Sequence, residues 1–83
     1  MHHPASAVRI LIVEDEVMLL DVITAHLEEV GYDVIPAVTA EIALDILQRG
    51  DPVDILFTDI RLPGAMDGWQ LAEAARDIRP ALP

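Results

Sequence analysis

The sequence predicts an α/β fold: a parallel sheet of strand order 2-1-3 with helices on both of its faces. Three observations carry this. Val8-Arg9-Ile10-Leu11-Ile12-Val13 is almost continuously β-branched or leucine, the mark of a strand buried on both faces. Strand-like and helix-like segments then alternate as βαβαβα to the end of the chain, a pattern that makes a parallel sheet. Pro36 falls inside the second strand-like segment, where it cannot donate to a ladder, so that strand belongs at an edge. Right-handed crossovers then give the order 2-1-3 most economically, with the first and third strands side by side.

Each element has its own local signals. The first helix should run from about Glu16 to Val30, with Leu20, Ile23, Leu27 and Val30 spaced by three and four on its inward face and Gly31 as the C′ residue. Asp33 to Ala37 forms the edge strand. Thr39 is placed to cap a helix over Ala40 to Arg49 that turns Ile42, Ala43, Ile46 and Leu47 inward and ends at Gly50. A third strand, Asp54 to Thr58, leads through an acidic loop to a short helix, Gly68 to Arg79, packed through Leu71, Ala74, Ala75 and Ile78 and followed by Pro80 and Pro83. Met66 and Trp69 read as packing residues. Residues 1–7, with His2 and His3, read as a disordered start, and 8–83 as a single domain without internal repeat, low-complexity tract or linker.

Composition narrows the functions open to this domain. A chain of 83 residues buries only roughly 60% of its unfolded surface, or slightly more, so the core is small. No apolar run approaches the roughly 20 residues of a membrane-spanning helix, there is no cysteine, and no leader-like segment opens the chain; a cytoplasmic location and no membrane partner are expected. Fifteen acids face five bases, all arginine, for a formal charge of −10. Nucleic-acid binding is excluded on that account, since it requires a basic face to displace counterions. A cation or a basic protein surface is the better partner. Most acids, among them Glu28, Glu29, Asp45, Glu73 and Asp77, are expected simply to solvate helix faces.

Two acidic positions are different. Glu14-Asp15-Glu16 closes the first strand and Asp59 follows the third, so in a 2-1-3 sheet they meet outside the carboxyl ends of neighbouring strands, at the switch point where open α/β sheets bind ligands. Carboxylates held together repel one another, a cost that a bound cation relieves. Magnesium, a hard ion that takes one or two carboxylates and keeps several waters, suits the set. Asp15 and Asp59 are the expected direct ligands, the main-chain carbonyl of Arg61 a third, and Glu14 a ligand through water. The competing reading is that Glu14 to Glu16 only stabilise the N-terminus of the first helix, where negative charge is favoured.

The motifs taken together resemble the receiver domain of bacterial two-component response regulators. The matching residues are Ile10-Leu11-Ile12-Val13-Glu14-Asp15-Glu16, then Asp59, then Leu62-Pro63 and Met66-Asp67-Gly68, and the resemblance covers the chain from about Val8. It implies a flavodoxin-like, three-layer α/β/α fold and a phosphorelay step. A sensor histidine kinase or phosphotransfer protein would donate a phosphoryl group to Asp59, with magnesium neutralising charge on the transferred oxygens. Pro63 and Gly68 would then serve loop geometry, proline fixing the turn and glycine permitting the backbone path into the third helix.

The sequence also departs from that family. Receivers continue through two further strands and helices that carry a hydroxyl residue and a lysine for the acceptor phosphate; the 83 residues hold no lysine, and their threonines are Thr24, Thr39 and Thr58. On this reading 8–83 is a partial receiver domain, its phosphotransfer is slowed or lost for want of that positive charge, and an unpaired third strand drives self-association as a homo-oligomer or domain-swapped dimer. A degenerate receiver acting as an interaction module without phosphotransfer stands as the alternative. The domain is not expected to be an enzyme: a phosphohydrolase using Asp59 would want a second acid where Arg61 stands, and a histidine-phosphotransfer bundle using His26 is contradicted by three strand-like segments.

Overall fold

A computed structural model describes residues 8–59, 61, 62, 64 and 66–80. The readings made for residues 1–7, for Pro63 and for Pro83 lie outside these described residues. Six elements follow one another as β1 (Arg9–Val13), α1 (Val17–Val30), β2 (Asp33–Ala37), α2 (Ala40–Gln48), β3 (Ile55–Thr58) and α3 (Gly68–Ile78). The strands form one parallel sheet of order β2-β1-β3.

Strand alternation sorts the apolar residues of β1 into two cores. Leu11 and Val13 point to one face, where they meet Ala40, Ala43, Ile46 and Leu47 of α2 and Leu71 and Ala75 of α3. Ile10 and Ile12 point to the other and pack with Leu20, Ile23 and Leu27 of α1. The result is a three-layer α/β/α domain with β1 at its centre, buried on both sides as its unbroken apolar sequence requires.

Helix ends are fixed by local chemistry. Gly31 adopts a left-handed conformation, φ 114°, and the N–H groups of Gly31 and Tyr32 donate to the carbonyls of Glu28 and Leu27, the paired bonds of a Schellman C-cap. Thr39 accepts from the Ile42 N–H at 3.1 Å. At the start of α3, Asp67 accepts from the Gln70 N–H at 2.9 Å while the Gln70 side chain accepts from the Asp67 N–H at 3.0 Å, a reciprocal capping box.

Several side chains expected inside are not. Val30 is 62% exposed, Ile42 44%, Ile78 37% and Trp69 66%. Val30 and Ile78 sit at the last residues of their helices, beyond the reach of the sheet. Ile42 and Trp69 occupy first turns, where only one side of the helix meets a neighbour. Met66 does pack against the core, half-buried. Gly68 is the buried first residue of α3 and does not have positive φ; the loop glycine that needs the left-handed region is Gly64, φ 96°.

The two ends of the sheet differ in charge. At the amino end Arg9 lies between two acids: its guanidinium is 3.5 Å from Asp33 Oδ2 and its N–H donates to Asp54 Oδ2 at 2.8 Å. At the carboxyl end, among the described residues, the acids have no arginine or histidine side chain within ion-pair distance.

Candidate functional site

The ladder itself delivers the acidic residues to one place. β1 pairs with β3 through Ile10↔Ile55 to Val13↔Thr58, so the residues that follow Val13 and Thr58 leave the sheet side by side. The Asp59 N–H donates to the Val13 carbonyl at 3.1 Å, and the Glu14 N–H to the Ala37 carbonyl at 3.0 Å. Both acids are therefore tied to neighbouring strands by backbone bonds as they emerge.

Glu14, Asp15 and Asp59 each present a carboxylate oxygen within 4.8 Å of the others. Glu14 is only 8% exposed, and its Oε2 accepts from the Glu16 N–H at 3.1 Å; Asp15 is exposed. Among the described residues no arginine or histidine stands within ion-pair distance of the three. Carboxylates so placed raise the energy of the fold unless something positive is shared between them.

The main chain around Asp59 is held on several sides. Oδ1 accepts from the Arg61 N–H at 3.3 Å, which brings the Arg61 backbone beside the carboxylate while its side chain is exposed. Thr58 Oγ1 donates to the Asp59 main-chain carbonyl at 2.9 Å and makes no bond to the carboxylate. Gly64 lies over α2, where a Cβ would stand 3.6 Å from the Glu41 carboxylate oxygens; that is ordinary contact, so backbone conformation rather than crowding calls for glycine.

The competing reading, in which Glu14 to Glu16 only stabilise the N-terminus of α1, does not explain the approach of Asp59 to Glu14 and Asp15. Glu16 is the N-cap of α1 but makes no side-chain capping bond, and no acid lies in the first turn. Two contributors were not anticipated from the sequence. Asp67 and Gln70 set the entry to α3, and their spacing is a legible capping signature. The Thr58 hydroxyl bond has no sequence signature, because it depends on where the ladder ends.

The pattern of the response regulator receiver domain matches residues 10–83. The chain belongs to the response regulator receiver family. The receiver is 40% identical over 72 residues to the transcriptional regulatory protein AruR of Pseudomonas aeruginosa, a match covering 82% of this chain and 29% of that protein. It thus spans less than a third of that curated relative. Its fold superposes on a response regulator receiver protein from Sinorhizobium medicae with a TM-score of 0.88 at 36% identity, covering 96% of this chain and 64% of the other. It is also similar to the response regulator TrrA of Thermotoga maritima, whose structure is a complex with Mg2+ and BeF: TM-score 0.83, 31% identity, 90% of this chain and 64% of that one. The flavodoxin-like architecture expected of the receiver is thereby established, with three helices and the strand order 2-1-3. No described helix of the receiver is long and apolar enough to cross a membrane.

Proposed function

We propose that this receiver accepts a phosphoryl group on Asp59 from the phosphohistidine of a sensor histidine kinase or phosphotransfer protein in the cytoplasm. The observation that carries the reading is the convergence of Glu14, Asp15 and Asp59 within 4.8 Å with no described cation to offset them. Three hard oxygen donors in that arrangement suit Mg2+, as does the likeness to TrrA in its Mg2+ complex. Asp15, Asp59 and the Arg61 carbonyl would hold the ion directly and Glu14 through water; when bound, it would neutralise charge on the phosphoryl oxygens.

The residues of the chain do the rest. Asp59 supplies the nucleophilic carboxylate oxygen, and the N–P bond of the donor breaks as the O–P bond forms, the imidazole taking up a proton from solvent. Its N–H bond to Val13 and the Arg61 N–H on Oδ1 keep the carboxylate facing out of the sheet. Asp59 is thus a stoichiometric acceptor rather than the catalyst of a hydrolysis. No lysine is available among the 83 residues to add positive charge against the transition state, so uptake by this chain alone is slow.

Intact-mass measurement after incubation with magnesium and acetyl phosphate tests the reading. One phosphate is expected, accumulating slowly and only with magnesium. A chain that binds magnesium but takes up no phosphate would instead support the interaction-module alternative.

The third strand bears on partners. Among the described residues β3 pairs on one side only, with β1, and on the face shared with α1 it exposes Ile55 (37%) and Phe57 (53%). An apolar strand with a free row of N–H and C=O groups is a template for a further strand. The 83-residue chain is expected to self-associate through β3, and light scattering should show a dimer or larger species that Phe57→Lys shifts toward monomer. A monodisperse monomer at high concentration would refute this.

A further inference from the structure

We infer that Thr58 is a positioning residue for the acceptor, acting through the main-chain carbonyl of Asp59; this rests on the acceptor reading of Asp59 given above. The β1–β3 ladder ends with the Asp59 N–H on the Val13 carbonyl. The next polar group along the chain is the Asp59 carbonyl, and the Thr58 hydroxyl donates to it at 2.9 Å. A peptide unit is planar, so holding that carbonyl restrains the main chain at Asp59 where it leaves the sheet. Two residues on, the Arg61 N–H reaches back to Asp59 Oδ1 at 3.3 Å.

Asp59 is consequently held at its N–H, its carbonyl and one carboxylate oxygen. Oδ2 is left without a hydrogen-bond donor among the described residues. Thr58 thus contributes to the geometry of the acceptor without touching the reacting atoms. Its side chain occupies the register position beside Val13, on the face that packs toward α2 and α3, and is half-buried. A methyl in place of the hydroxyl would preserve its shape, as valine does, while removing the donor that the described residues give the Asp59 carbonyl.

The chemistry of the side chain provides a clean separation of roles. Packing depends on the branched carbons, which Thr58→Val keeps and Thr58→Ser reduces; positioning depends on the hydroxyl, which Thr58→Ser keeps and Thr58→Val lacks. The measurement is the rate of phosphate incorporation into the full 83-residue chain from acetyl phosphate at saturating magnesium, followed by intact mass, alongside thermal midpoints for each variant. Thr58→Val is expected to be slower by about three- to tenfold, the value of one neutral hydrogen bond, and Thr58→Ser to stay within about twofold of the parent. Thr58→Val at the parent rate, or Thr58→Ser as slow as Thr58→Val, overturns the inference while leaving the acceptor reading intact. A parent chain that takes up no phosphate overturns the acceptor reading and this inference with it.

Discussion

Asp59→Asn should take up no phosphate and, without magnesium, should melt higher than the parent. The first effect is chemical: an amide in place of the carboxylate offers no nucleophilic oxygen. The second is electrostatic. In the parent, three carboxylates lie within 4.8 Å of one another, and two unit charges about 4 Å apart repel by about 1 kcal/mol even when water screens them fully. Asparagine removes the charge at 59 while its side-chain oxygen can still accept from the Arg61 N–H, and its amide N–H groups become donors toward the remaining acids. For a chain of this size about 1 kcal/mol is worth roughly 4–8 °C. The gain should shrink as salt is added, and added magnesium should stabilise the parent more than the variant. Phosphate on Asp59→Asn at the parent's rate would place the acceptor elsewhere. A lower melting point in the metal-free variant would show that the acids are not in mutual repulsion.

The fold and the acidic site were legible because both rest on strong local signals. The continuous apolar run of β1 could only be a strand covered on both faces, and Pro36 could only sit at an edge. With those two constraints the positions of Glu14, Asp15 and Asp59 at one end of the sheet followed from topology. Spacing was less informative about which residues of a helix are inside. Val30 and Ile78 keep the inward period, but at helix ends the period outlasts the surface it would pack against, and both are exposed. Trp69 was read as a packing residue, yet at the first turn of α3 it lies mostly in solvent. Gly68 and Gly64 show a different limit: both follow the same strand in a loop, and only the path of the chain decides that Gly64 needs positive φ while Gly68 begins a helix.

The charge asymmetry of the sheet was equally out of reach. Five arginines are too few to neutralise fifteen acids, but the sequence does not say which acids go without. In three dimensions the Arg9 guanidinium serves Asp33 at the amino end, and Arg49 serves Asp45 and Asp51 at the end of α2. Among the described residues, the cluster at the carboxyl end has no ion-pair partner. That allocation, more than the number of acids, is what leaves the three carboxylates without an offsetting side chain among the described residues.

Leu11→Ala should cost a large share of the stability of the domain and, through it, weaken the site. Leu11 is fully buried in the central strand, in the core that joins β1 to Ala43, Ile46 and Leu47 of α2 and to Leu71 and Ala75 of α3. Truncating a buried leucine to alanine typically costs about 2–5 kcal/mol, the larger values where the cavity cannot collapse. Here both faces of β1 are packed, so little collapse is available. At about 0.05–0.15 kcal/mol per residue, a chain of 83 residues has roughly 4–12 kcal/mol in all, so the loss takes a large share of it. The urea midpoint followed by circular dichroism should fall by more than about 1 M. Ile42→Ala, which trims a side chain already 44% exposed, should shift it far less. Because Val13 lies two residues beyond Leu11 and carries the carbonyl that anchors the Asp59 N–H, magnesium binding should weaken at denaturant concentrations where the parent still binds. If Leu11→Ala lost less than about 1 kcal/mol, the load would not rest on β1, and the site would have to be held by the loops.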